Sequence, residues 1–145
     1  MDWISQMKQP VILIFHNGFN FDCSVLIRHL VDFKIPIPTN LVKVGDTLPF
    51  FRDVIKIPEI ENHKLSSLAE HFKINQEMAH CALSDSITLK SICESYIKKT
   101  NTTLPDIFKN WTRPFQDYVN KKTHNTPLPK LKKRSDDAER KGLKM

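Results

Sequence analysis

At 145 residues, 40% hydrophobic and 26% charged, the chain has the size and composition of one globular domain, large enough to bury a core without disulfides. Its longest aliphatic-aromatic run, Val11 to Phe15, is far too short to cross a bilayer, and the opening MDWISQMK lacks the basic-then-apolar order of a secretory signal. The three cysteines, Cys23, Cys81 and Cys93, are odd in number and without C-x-x-C spacing, as expected of reduced, mostly buried thiols in a nuclear or cytoplasmic protein.

The charge is unevenly spread. Residues 1–120 hold 13 Lys/Arg and 13 Asp/Glu, whereas residues 121–145 hold nine and three. The net charge of +6 therefore belongs to the last 25 residues, a basic tail on a neutral domain.

In chain order, MDWISQMKQ reads as the end of a short amphipathic helix stopped by Pro10. VILIF, residues 11–15, is short and β-branched and reads as a buried strand, and Gly18 and Asn20 mark a turn. From Asp22, the apolar residues Val25, Leu26, Leu30 and Phe33 recur at helical spacing until Ile35-Pro36. LVKVGDTLPFF, residues 41–51, reads as a second strand entering a turn or helix. HKLSSLAEHFKI, residues 63–74, places Leu65, Leu68, Ala69 and Phe72 on one helical face. DSITLKSICESYIKK, residues 85–99, does the same with Ile87, Leu89, Ile92, Tyr96 and Ile97, and Lys98-Lys99 suit a helix C-terminus. Residues 100–120 predict a docking helical extension held by Ile107, Trp111, Phe115 and Tyr118. Residues 121–145 are polar, punctuated by proline and basic, which predicts a disordered tail. Alternating strands and helices predict an α/β layer with two parallel strands and flanking helices.

Two segments carry candidate chemistry. Asp22 stands where a buried strand passes into a helix. It suits a helix N-cap, accepting backbone N–H groups, or a metal ligand at the carboxyl end of a strand. In AHCALSDSITL, residues 79–89, His80 precedes Asp85 by five residues. Asp85 or Ser84 suits a cap beside a surface histidine. Alternatively, His80 suits a general base for water and Asp85 a metal carboxylate. Hard cations such as Mg²⁺ take oxygen ligands, commonly one or two carboxylates together with substrate phosphate.

Together the two segments resemble the DEDDh 3′→5′ exonucleases, which include polymerase proofreading subunits and the three-prime repair exonucleases. VILIFHNGFNFDCSVL is similar to that family's second motif and HCALSDSITL to its third, with VGDTLPFFR and KLSSLAEHF between them in the family's order. The resemblance implies a ribonuclease H-like fold over residues 1–99, hydrolysis of single-stranded DNA or RNA from the 3′ end, and Mg²⁺ or Mn²⁺ as cofactor. By it, Asp22 and Asp85 are metal ligands and His80 is the general base. His16, Asn17, Gly18 and Phe19 lie along the substrate strand, and Asp46 is structural at a strand end.

The same resemblance implies a first motif, Asp-x-Glu, on a central strand that this sequence does not contain, together with two further strands. Asp137-Ala138-Glu139 has the spacing but sits in the polar run KKRSDDAERKG, and Glu59-Ile60-Glu61 falls in a loop after Pro58. Two carboxylates hold divalent ions weakly. The expectation is a partial exonuclease domain, inactive alone, which awaits a missing N-terminal segment or a partner chain. The alternative is a non-catalytic module that binds nucleic acid or protein. The tail KLKKRSDDAERKGLK reads as a solvated segment, a nuclear localisation signal or a nonspecific phosphate contact.

Overall fold

A computed structural model of the chain describes residues 1–76, 78, 80–125 and 127–131. After a short helix α1 (Asp2–Ser5), the aliphatic run forms strand β1 (Val11–Phe15), and helix α2 (Asp22–Asp32) crosses to strand β2 (Leu41–Asp46). β1 and β2 pair in parallel, which requires a crossover of this kind. Helices α3 (Thr47–Val54), α4 (Leu65–His71) and α5 (Ala82–Thr100) follow.

The segment read as a helical extension is more varied. It forms helix α6 (Leu104–Phe108), strand β3 (Thr112–Pro114) and helix α7 (Phe115–His124). β3 pairs antiparallel with β2, Thr112 opposite Gly45 and Arg113 opposite Val44, so the sheet has three strands in the order β1-β2-β3 rather than two. Three residues ending in a proline are too few to show period-two alternation. α7 continues through His124, taking in the first four residues of the predicted tail, because the Asn125 backbone closes it in the left-handed region. Asp137-Ala138-Glu139 and most of the basic run lie outside the described residues.

The sheet is sandwiched between two cores. On one side Val11, Leu13 and Phe15 pack with Ile4, Ile27, Leu30, Phe115 and Tyr118 of α1, α2 and α7. On the other, Ile14 meets the cluster of Phe51, Leu68, Phe72, Ile92 and Phe108 from α3, α4, α5 and α6. Alternating residues of β1 thus serve opposite faces. Gly45 makes the second core possible. A Cβ there would lie 2.8 Å from Ile14 Cδ1 and 3.1 Å from Phe108 Cδ1.

Two residues of the predicted helix faces lie elsewhere. Phe33 is 72% exposed, because it is the C-cap of α2 and stacks on His29 instead. Ile87 is 56% exposed, and Thr88 is buried in its place, since Thr88 lies four residues before the buried Ile92 on the same stripe. Cys23 and Cys93 are buried and Cys81 is exposed, all three as free thiols. Burial pushes Cys23 up to about 12 and Cys93 up to about 11, so neither is a nucleophile at neutral pH.

The outer edge of β1 has no partner strand among the described residues. Beside it Ile12 is 45% exposed, over a groove of about 530 Å³ lined by Ile12, Ile14, Leu104 and Phe108. An uncovered aliphatic edge of this kind is a template for pairing with another strand.

Candidate functional site

The parallel register sets Phe15 opposite Asp46. The carboxyl ends of β1 and β2 therefore lie side by side, where α/β sheets place their sites. His16 and Asn17 leave β1 there, next to Thr47 at the start of α3. Asp46, 1% exposed, ties the junction together. Its carboxylate accepts from the N–H groups of Asn17 at 2.8 Å, Phe19 at 3.0 Å and Leu48 at 2.9 Å. The last of these caps α3, and the first two fold the 16–19 turn against β2. That turn takes Asn17 to φ 65°. It also presses Gly18 so close to β1 that a Cβ would stand 2.3 Å from Phe15 Cβ.

Asp22 is not a helix cap. The N-cap of α2 is Phe21, with no side-chain cap bond. The half-buried Asp22 carboxyl is held above the usual carboxylate range, by burial first and by the nearby Asp46 charge second. Nor does Asp85 cap α5. The N-cap there is Cys81, again without a side-chain bond, and Asp85 accepts from Gln76 Nε2 at 3.1 Å. His80 is exposed, with φ 68°.

A cleft of about 530 Å³ brings His16, Asn17, His80 and Asp85 together. Asp22, Gly18 and Phe19 are not on its wall. Gly18 is buried. Phe19 packs into the α2–α7 core, with the Arg113 guanidinium 5.3 Å from its ring centroid and its carbonyl accepting from the Tyr118 hydroxyl at 3.3 Å.

His16 lines the cleft with both ring nitrogens engaged. Nε2 donates to the His63 carbonyl at 2.8 Å, and Nδ1 lies 2.8 Å from Thr47 Oγ1. His63 Nε2 in turn donates to the Ile55 carbonyl at 2.6 Å. The two histidines pin the 56–64 strap, whose Asn62, His63 and Lys64 line the cleft. Burial lowers the His16 pKa, against the opposing pull of the His63 carbonyl and Asp46. The folded chain thus favours neutral His16. The stability it supplies is full above the ordinary value of about 6.5 and is lost as pH falls through the lower folded-state value. Denaturant titrations from pH 7 to pH 5 should show falling stability, with the slope shallower in His16→Asn. An equal slope in the variant would contradict this role. Asp22 acts in the opposite sense and at lower pH: its raised value favours the folded state in acid, an advantage lost as pH rises through it.

Sequence reasoning missed Arg52, Asn62, His63, Lys64 and Gln76, which complete the cleft wall. Only Arg52 had a signal, since it stands four residues after Leu48 and shares its face of α3. Among the described residues, no three His, Cys, Asp or Glu side chains converge to hold a metal ion. Asp22 and Asp85 therefore do not by themselves fit a divalent cation, and among the described residues the cleft holds more cationic than acidic side chains.

The protein named Exonuclease DPD1, chloroplastic/mitochondrial, of Arabidopsis thaliana is 31% identical to the chain over 112 residues, taking in 72% of the chain and 35% of that protein. The chain thus spans about a third of its relative's length. No family model matches, and no solved structure does. The relative's chloroplastic and mitochondrial location lends no support to the expected nuclear or cytoplasmic one. Among the described residues, no helix is long and apolar enough to cross a membrane. The likeness supports an exonuclease family for the chain, and a mixed α/β body with a three-stranded sheet is compatible with part of an exonuclease fold.

Proposed function

We propose that the chain carries the second half of a DEDDh-type 3′→5′ exonuclease site on a partial ribonuclease H-like fold, and that alone it binds single-stranded DNA or RNA ends without cutting them efficiently. The observation that carries this reading is the cleft at the strand ends, whose lining brings His80 and Asp85 together with Asn17, Arg52 and Lys64 in a chain similar to an exonuclease. His80, exposed at the rim, takes the role of general base. Asp85 and the uncapped Asp22 take the role of carboxylates toward Mg²⁺ or Mn²⁺, an ion that needs further carboxylates beyond the described residues. The open edge of β1 supports a place for the strand that would bring them, from a preceding segment or a partner chain. A second reading, a non-catalytic module that binds nucleic acid, is favoured by the excess of cations over carboxylates in the cleft.

The test incubates this chain with end-labelled single-stranded DNA and RNA in Mg²⁺ or Mn²⁺. The expected result is salt-sensitive binding with the label left intact. Rapid degradation that disappears in Asp22→Ala and His80→Ala would show the site to be complete, and absence of binding would remove the nucleic-acid reading.

A further inference from the structure

Arg52 and Lys64 face the cleft from two different elements, and both are exposed. Arg52 lies on the last turn of α3. The neighbouring Phe50 and Phe51 point into the core, which leaves Leu48 and Arg52, one turn apart, to face the cleft. Lys64 ends the strap. Its backbone N–H donates to Asn62 Oδ1 at 3.0 Å, which also accepts from Ser67 Oγ at 2.7 Å. The adjacent His63 is tied to His16 and to Ile55. The base of Lys64 is therefore fixed while its stem stays free.

Among the described residues neither cation has a carboxylate within ion-pair distance; the ion pairs formed are Lys56–Asp53, His71–Glu59, Lys90–Glu94 and Lys122–Asp32. Among the described residues the cleft's carboxylate is Asp85, which is already bonded to Gln76. Two cations on separate elements of one cleft, neither ion-paired among the described residues, can receive an anion. A guanidinium fork beside a mobile ammonium suits a phosphodiester, the fork for paired oxygens and the ammonium as a point charge.

We propose that Arg52 and Lys64 form a phosphate subsite that seats an internucleotide phosphate of a single strand, so that the strand's end reaches His80 and Asp85. This rests on the nucleic-acid reading above and deepens it. Phosphate contacts of this kind position the strand without reading its bases.

The experiment follows the binding of a fluorescein-labelled oligothymidylate to the full chain by anisotropy, in EDTA, over a KCl series. The double variant Arg52→Gln/Lys64→Gln should lower the slope of log K against log salt by about 0.7, the counterion release of the one single-strand phosphate that the pair seats, and each single variant should lower it by a share of that. Lys98→Gln, an exposed change on α5 away from the cleft, controls for general charge. It should leave the slope unchanged. All three positions are exposed, and circular dichroism checks that each variant folds. Wild-type binding with a slope unaltered by Arg52→Gln and Lys64→Gln overturns the subsite alone, as does an equal loss in Lys98→Gln. Failure of the wild-type chain to bind overturns the underlying reading as well.

Discussion

Replacing Asp46 by alanine should destabilise the fold by about 3–5 kcal/mol, since it leaves three backbone donors without their acceptor and each buried orphan costs about 1–3 kcal/mol before relaxation. The three are the N–H groups of Asn17, Phe19 and Leu48, around a carboxylate that is 1% exposed. In a chain of this size the loss corresponds to a melting temperature lower by about 10–20 °C. Asp46→Asn keeps one acceptor oxygen and should cost about half as much. The effect is also local. The same three bonds set the 16–19 turn and the start of α3, so amide exchange at Asn17 and Phe19 should accelerate in either variant before the rest of β1 does. A melting temperature within a few degrees of wild type in Asp46→Ala would show that water or a shifted backbone replaces the carboxylate.

Phe51→Ala should cost about as much by a different route, roughly 3–5 kcal/mol for an aromatic side chain removed from a packed core. Phe51 is fully buried, within 5.2 Å of Phe50, 5.8 Å of Tyr96 and 5.9 Å of Phe72, centroid to centroid. The two nearer rings meet it edge-on, an arrangement that adds to simple burial. The cluster joins α3, α4 and α5, which carry Arg52, the far end of the strap and Asp85 respectively, so it holds three walls of the cleft in register. Urea unfolding measures the loss. A cost below about 1 kcal/mol would mean that the neighbouring rings collapse into the space.

The parts of the fold that were legible in the sequence were those whose periodicity is long or whose ends are punctuated. VILIF between Pro10 and the Asn-Gly turn could be little other than a strand, and the stripe at Leu65, Leu68 and Phe72 little other than a helix. β3 was hidden because Thr112 and Arg113 join the sheet through main-chain bonds that leave no pattern in the side chains. Within the site, residue types pointed to His80, Asp85 and Asp22, and the cleft does gather the first two with His16 and Asn17. What the pattern could not reveal was how each side chain is already employed. His16 was expected along the substrate strand, yet both its nitrogens hold the strap and the start of α3. Phe19 was expected beside it and instead packs under Arg113. Taken alone Asp22 read as a cap, and with His80 and Asp85 as a metal ligand; Phe21 as the N-cap of α2, without a side-chain bond, removes the first reading. Lys64 left no signal because exposed charged residues are commonplace, and Arg52 left only its place one turn after Leu48; what gives them meaning is that both line the cleft.

Whether the cleft is half of an exonuclease site is decided by comparing this chain with a form extended ahead of Met1 by strands bearing Asp-x-Glu, each incubated with a single-stranded oligonucleotide labelled at its 5′ end in Mg²⁺ or Mn²⁺. Only the extended form should shorten the strand from its 3′ end, and His80→Ala, which removes the general base, should slow it by about 100-fold or more. Asp22→Ala and Asp85→Ala should abolish the reaction. An extended, folded protein that leaves the strand intact, or that cuts it equally well without His80 and Asp85, would contradict the assignment of this cleft as half of an exonuclease site.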